Sequence, residues 1–221
     1  MRFKKSYQGK QVINFRPIFF QRNVNSKFDS HYVIQSWWAT SRIRSRNPEL
    51  HTDVSSNVGF VAQLSAMVPV QFYEFNPPHL SLGTLSISNA SLANLPLDDN
   101  SVWSLSCLHV LEHIGLGRYG DPIDVNGMSN ACAELSRVLR PGGRLLISVP
   151  VGRERIEFNS QRVIDPEKML DYFPTLEHVE FSIVDDKHVF TGDASFDYAQ
   201  KQNYACGLYV FTKAQSGILH D

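Results

Sequence analysis

Cysteine is scarce in this chain: Cys107, Cys132 and Cys206 are the only three among 221 residues. The set is odd in number and widely spaced, with no CxxC pair and no Cys/His ligand spacing. That excludes a disulfide framework and gives no zinc motif, so no metal site is expected from the spacing. Cys107 and Cys206 fall inside apolar runs, where a free thiol behaves as a small hydrophobe. Such usage fits a reducing cytoplasm. Long apolar runs are missing too. Gln and Asn interrupt each one near the basic N-terminus, as in Val12–Phe20, and no stretch reaches the ~18 apolar residues of a membrane span. Neither a signal-peptide core nor a membrane span is expected. An excess of one charge is also lacking, since 21 Lys and Arg face 22 Asp and Glu. A net charge of −1 supplies no general attraction to nucleic acid or to an anionic membrane. The basic clusters Arg2–Lys5 and Arg42–Arg46 read as solvated faces.

What is present is an alternation of short apolar strands with helical stretches. Residues 1–29 mix basic, aromatic and amide residues without a period and read as an N-terminal extension. Residues 30–221 are long enough for one domain with its own core. Tyr32, Ile34, Trp37, Trp38, Ser41 and Ile43 recur at three-to-four spacing, predicting a helix capped by Ser30 and stopped by Asn47-Pro48, with both tryptophans in the core. Strands are predicted at Leu50–Val54, Val70–Phe75, Thr84–Ser88, Ser101–Val110 and Arg144–Val149. Helices are predicted at Val58–Met67 and Met128–Leu139, the second ended by Pro141-Gly142-Gly143. This order implies right-handed βαβ units and a mostly parallel, doubly wound sheet. His178–Val184 and Ala205–Thr212 lack a good crossover helix between them and read as an antiparallel pair at one sheet edge.

In such a sheet, ligands sit beyond the carboxyl ends of the strands, where strand order reverses. After the first strand comes Asp53-Val54-Ser55-Ser56-Asn57-Val58-Gly59, a run of small residues opening a helix. Small residues let the backbone approach a ligand, and the helix start offers free N–H groups. The same turn also serves as an ordinary helix cap. Glu74, 21 residues beyond Asp53, is placed for a ribose diol, whose two hydroxyls a carboxylate accepts together. Alone it is an exposed charge. Asp185, Asp186 and His188 are close in sequence but do not have the convergence of a metal site.

Further along, Asn89-Ala90-Ser91-Leu92-Ala93-Asn94 precedes Leu95-Pro96-Leu97-Asp98-Asp99-Asn100-Ser101-Val102, and His109-Val110-Leu111-Glu112-His113-Ile114 follows the fourth strand. Downstream stand Glu134-Leu135-Ser136-Arg137-Val138-Leu139-Arg140-Pro141-Gly142-Gly143 and Leu145-Leu146-Ile147-Ser148-Val149-Pro150. Over residues 50–150 these runs resemble the class I S-adenosylmethionine-dependent methyltransferases. Gly115-Leu116-Gly117-Arg118-Tyr119-Gly120-Asp121-Pro122, Pro150-Val151-Gly152, Phe158-Asn159 with Arg162, and Cys206-Gly207-Leu208 look closest to a branch met among bacterial surface-polysaccharide genes, to which no activity attaches.

The resemblance implies a Rossmann-like, seven-stranded fold with S-adenosylmethionine as cofactor. It assigns cofactor contacts to Asp53, Ser55, Asn57, Gly59, Glu74, Asn89 and Ala90, and leaves His109 as either a cofactor contact or buried structure. The family's first loop runs acidic-x-Gly-x-Gly-x-Gly; here Ser55 and Asn57 replace the first two glycines. Each either narrows the space for the methionine moiety or takes φ > 0, which Asn57 tolerates better than most residues. For a hydroxyl acceptor, His113 or Asp121 is the expected base, with Arg118 and Tyr119 holding a sugar or phosphate. Asn159 and Arg162 are further acceptor contacts. In the alternative, Arg118 pairs with Asp121 or Asp124 and the loop is structural. The implied activity is O-methylation of a sugar or polysaccharide precursor. A small-molecule or glycan acceptor is expected, with no nucleic-acid partner, in a homo-oligomer or a complex with glycan-synthesis enzymes. The rival is a non-catalytic binding or scaffold protein with a degenerate cofactor loop. A nicotinamide-dependent dehydrogenase fits worst, because neither GxGxxG nor a Tyr-x-x-x-Lys dyad is present.

Overall fold

The structure is a computed structural model that describes residues 28–215. The expected extension 1–29, with Arg2–Lys5, lies outside the described residues but for its last two. Helix α1 (Ser30–Arg46) is followed by β1 (His51–Val54), α2 (Val58–Leu64), β2 (Val70–Glu74), β3 (Leu85–Asn89) and β4 (Val102–Leu108). Then come α3 (Gly127–Val138), β5 (Leu139–Val151), the hairpin β6–β7 (Arg155–Glu157, Gln161–Val163), β8 (Glu177–Val184), β9 (Phe190–Thr191), α4 (Phe196–Gln200) and β10 (Ala205–Thr212). Eight strands form one sheet in the order β3-β2-β1-β4-β5-β10-β8-β9, one more than expected. The first five in that order run parallel, and β10 lies antiparallel to both β5 and β8.

Helices cover both faces, so the central strands read as continuous apolar or small residues. On one face, Trp38, Ala39 and Ile43 of α1 and Phe60, Val61 and Leu64 of α2 pack on Phe72, Leu108, Leu146 and Leu208. On the other, Ala131, Leu135 and Val138 repeat at helical spacing along α3 and meet Leu105, Cys107, Leu145 and Ile147. All three cysteines are free and buried. No helix among the described residues is long and apolar enough to cross a membrane.

Several local expectations are corrected. Asp29, not Ser30, caps α1, its carboxylate accepting from the N–H groups of His31 and Tyr32. Trp38 is buried, but Trp37 is 57% exposed and meets Phe190 edge-on. The Arg42–Arg46 cluster is not a free solvated face. Arg42 forks onto Glu180, and Arg46 lies over the Trp103 ring and donates to the Gly142 carbonyl. The fourth strand stops at Leu108, because His109 takes φ +56° and turns the chain into the 3-10 turn Leu111–His113. Helix α2 ends at Leu64 rather than Met67.

Because β1 pairs with β2 on one side and with β4 on the other, strand order reverses there. The pairs Val54 with Tyr73, Asp53 with Ser106, and Glu74 with Asn89 bring the carboxyl ends of β1–β4 to one edge.

Candidate active site

The floor of that edge is a buried polar chain. His51 Nδ1 lies 2.8 Å from Ser104 Oγ and its Nε2 2.8 Å from Ser106 Oγ. Ser106 Oγ donates to Asp53, as do the Ser56 hydroxyl (2.7 Å) and the Ser56 N–H (3.1 Å). Ser56 Oγ in turn accepts from the Leu108 N–H at 2.9 Å, which ties the loop after β1 to the end of β4. Burial holds His51 down to about 3, so the ring is neutral and its Nε2–H is the proton given to Ser106. Burial pushes Asp53 up to about 7, opposed in part by the donors on Ser106 and Ser56. Asp53 and Gly59 thus shape the loop from behind. A Cβ on Gly59 would come 3.0 Å from Asn57 Oδ1, the atom that caps α2 by accepting from the Gly59 N–H.

The two departures from the glycine loop behave differently from each other. Ser55 adopts φ +58° and so reproduces the backbone shape a glycine would give. Asn57, the residue better suited to positive φ, takes φ −58° and spends its side chain on the helix cap. Both line a cavity of about 440 Å³ together with Glu74, His109, His113 and Asp121. That volume is within the range of small-molecule sites. Glu74 and the loop after β1 therefore face one cleft. Asn89 and Ala90 do not line it: the Asn89 amide donates to the Phe75 carbonyl, Ala90 is buried, and Ser91, Leu92 and Ala93 form the wall instead. The physical reason is that β3 ends at Asn89, and the turn after it carries the following residues over the cleft.

The loop after β4 is tightly folded. Asp121 accepts from the N–H groups of Gly115 (2.9 Å), Gly117 (3.4 Å) and Tyr119 (3.2 Å). Burial tends to raise its pKa, but these backbone donors outweigh it and hold the carboxyl below its ordinary value. Gly115 has φ +78°, and a Cβ there would lie 2.1 Å from the Asp124 carbonyl oxygen, so only glycine closes this loop. Arg118 donates to the Ser160 carbonyl at 3.1 Å and lies over the Tyr119 ring. No ion pair joins it to Asp121 or Asp124 among the described residues. Arg162 donates to the carbonyls of Glu112 and Ile114 and braces the loop rather than facing the cleft. Asn159 lines neither this cavity nor the one beside it. Asp185, Asp186 and His188 make separate structural bonds, to Tyr198, to the Asn203 and Tyr204 N–H groups, and to Ser30.

His113 Nδ1 lies 2.7 Å from the Ser160 carbonyl and 3.3 Å from Arg118 Nη1; the shorter contact gives this nitrogen the proton and leaves Nε2, 3.6 Å from Glu112 Oε1, as the acceptor. His109 Nδ1 lies 2.7 Å from Glu112 Oε1. Burial works to lower the His109 pKa, but Cys206 and Glu112 outweigh it and push it up to about 10. A second cavity of about 680 Å³ shares Tyr32, His109, His113 and Tyr119 with the first. The sequence does not single out His31, His51, Ser106 or Ser160, and marks Tyr32 only as a helix position and Ser56 only as one of the small loop residues. One signal was available: Ser104 and Ser106, two apart on β4, point to the same side of the strand.

The solved structures similar to this chain include the (4+2)-cyclase SpnF, 15% identical with a TM-score of 0.59 over 82% of this chain and 81% of that one. Another comes from the complex between the Haloferax volcanii Trm112 methyltransferase activator and a methyltransferase, 15% identical with a TM-score of 0.56 over 84% and 92%. The 1,6-didemethyltoxoflavin-N1-methyltransferase of Burkholderia thailandensis, solved with 1,6-didemethyltoxoflavin and S-adenosylhomocysteine, is 14% identical with a TM-score of 0.57 over 82% and 79%. The fold is that of the class I methyltransferases. SpnF, named as a cyclase, shows that this methyltransferase fold does not by itself fix the reaction. The family described as "Caenorhabditis protein of unknown function, DUF268" matches residues 100–204, a span that includes β4, the Gly115–Asp124 loop and the hairpin β6–β7. No curated protein matches this chain.

Proposed function

We propose that this chain is an S-adenosylmethionine-dependent methyltransferase acting on a hydroxyl oxygen of a small sugar or glycan precursor. The observation that carries the reading is the cleft at the strand-order reversal, where Glu74 at the end of β2 faces the loop after β1 across one small-molecule cavity. The residues present fit the cofactor. Ser55 keeps the loop's backbone shape, Glu74 stands where a ribose diol is held, and Phe75, Leu92 and Ala93 offer an apolar wall to a base. Bound there, S-adenosylmethionine supplies an electrophilic methyl group. His113 Nε2 accepts the hydroxyl proton, with Nδ1 anchored on Ser160 to hold the ring in place. Asp121 keeps the loop closed, and the second cavity beside His113 and Tyr119 receives the acceptor. The glycan class of the acceptor rests only on the resemblance carried by Gly115–Pro122, Pro150–Gly152, Phe158-Asn159 with Arg162, and Cys206–Leu208.

The side chains of Ser55 and Asn57 inside the cleft favour one competing reading, a non-catalytic protein of the same fold. Calorimetric titration with S-adenosylmethionine and S-adenosylhomocysteine separates the two. Binding of both is expected, and Glu74→Ala should weaken it by about 1.5–3 kcal/mol, the range for hydrogen bonds to a charged group. Heats indistinguishable from buffer at millimolar ligand would rule out the enzyme in favour of the competing reading.

A further inference from the structure

We propose that His31, His109 and Cys206 form a binding site for one divalent metal ion of the zinc class, at the wall between the two cavities. One nitrogen from each histidine and the Cys206 sulfur lie within 4.8 Å of one another. The ligand set comes from the first turn of α1, the turn after β4 and the strand β10, which explains why spacing in the sequence gives no trace of it. Two imidazoles and a thiolate match zinc's preference for nitrogen and sulfur, and leave a fourth position for water. Bond lengths of about 2.0–2.3 Å put tetrahedral ligand atoms roughly 3.3–3.8 Å apart, so binding requires the three groups to close by about 1 Å.

Two independent observations point to a missing cation. His109 Nε2 is buried with no hydrogen-bond partner, and so is Glu112 Oε2 beside it. The His109 side chain is 5% exposed and that of Glu112 1%, and such orphaned polar atoms are uncommon in a folded core. His109 also has the arrangement seen around metal-bound imidazoles. Its Nδ1 is held by a carboxylate, Glu112 Oε1 at 2.7 Å, which fixes the ring and leaves Nε2 for the ligand role. His109 takes a positive φ and is buried, and His31 stacks on it with ring centroids 5.5 Å apart. Charge balances as well: a divalent ion offsets one thiolate and the Glu112 carboxylate. Cys206 and the doubly protonated His109 ring each give up one proton to solvent when the ion binds, and Gln35 Oε1, the weak acceptor of the Cys206 S–H at 4.0 Å, keeps its bond from Ser148 Oγ. His31 lines the second cavity, which provides the route in.

The test uses the full chain without an affinity tag, stripped with a chelator and titrated with Co²⁺ and then Zn²⁺. No S-adenosylmethionine is present, so the result does not depend on the cofactor reading. One equivalent of Co²⁺ should produce a thiolate-to-cobalt charge-transfer band and four-coordinate ligand-field bands, and Zn²⁺ should abolish both. Cys206→Ser should lose the charge-transfer band, while Cys107→Ser and Cys132→Ser should keep it. His31→Ala, checked for a wild-type-like melting temperature because the ring is buried between His109 and Tyr204, should weaken Co²⁺ binding by at least about tenfold. A wild-type chain with no thiolate band overturns the proposal. So does a band that survives Cys206→Ser, or a His31→Ala variant that titrates like wild type.

Discussion

Replacing His113 with glutamine should lower methyl transfer by about 10²–10⁴-fold, the usual loss when a positioned base is removed. Affinity for S-adenosylhomocysteine should stay within a few-fold of wild type. The expectation follows from the ring's geometry. With Nδ1–H bound to the Ser160 carbonyl, Nε2 is the ring atom able to take a proton, and the ring lines the cleft and the adjoining cavity together. Glutamine preserves most of the volume and hydrogen bonding but is not basic at neutral pH. Asp121→Asn should behave differently. Its carboxylate oxygens are taken up by three backbone N–H groups of its own loop, so the amide loses acceptors and the loop loosens. A lower melting temperature and a weaker acceptor KM are expected there, with less effect on the chemical step. Single-turnover rates and melting temperatures on both variants decide the matter. A His113→Gln rate within about fivefold of wild type would remove His113 from the base role.

Asp53→Ala should destabilise the fold by about 2–4 kcal/mol, because it leaves two buried hydroxyls and one buried N–H without their acceptor. Asp53→Asn offers a sharper test through pH. Burial raises the folded pKa of Asp53 to about 7, above its ordinary value of 3.8, so the folded state keeps a proton that the unfolded chain releases. Its contribution to stability is therefore fully present below about pH 4 and is lost as pH rises through 7. His51, lowered to about 3, works in the opposite direction over the same window, since acid favours the unfolded chain in which that ring protonates freely. Wild type balances the two, whereas Asp53→Asn keeps only the effect of the histidine. The variant's deficit should thus widen on going from pH 7.5 to pH 4.5, by no more than about 1.4 kcal/mol per pH unit. Urea midpoints at four pH values measure this. A deficit that is constant or shrinks on acidification would mean that Asp53 is ionised in the fold.

The parallel core was legible because its signals are local. Runs such as Arg144–Val149 and the Ala131, Leu135, Val138 spacing carry their own periodicity, whereas Pro141-Gly142-Gly143, expected to end the helix, lies inside β5, which starts at Leu139 and shifts register across these residues. The edge strand β9 and the hairpin β6–β7 were not read, since two- and three-residue strands carry too little pattern. In the cleft, Glu74 was legible from its distance to Asp53, a constraint set by the βαβ unit. The buried chain His51–Ser106–Asp53–Ser56 was not, because serine in a strand and histidine at its start have no periodic signature. Neither was the convergence of His31, His109 and Cys206, which only the completed sheet creates. Positive φ at Ser55 instead of Asn57 shows the limit of propensity: the α2 cap had first claim on the asparagine.

The place of β10 inside the sheet has a consequence for how the chain is made. Synthesis delivers β5 and β8 first, yet each must wait for β10 to fill the gap between them. At about 5–20 residues per second, the 54 residues from Val151 to Ala205 take roughly 3–11 s to emerge. The apolar stretches Leu145–Val151, through that whole interval, and Phe181–Val184, for its last 21 residues, stand with unpaired edges, the condition under which nascent chains recruit chaperones or join one another. A ribosome that stalls before Ala205 leaves behind a sheet with two bare margins, a product for the quality-control proteases.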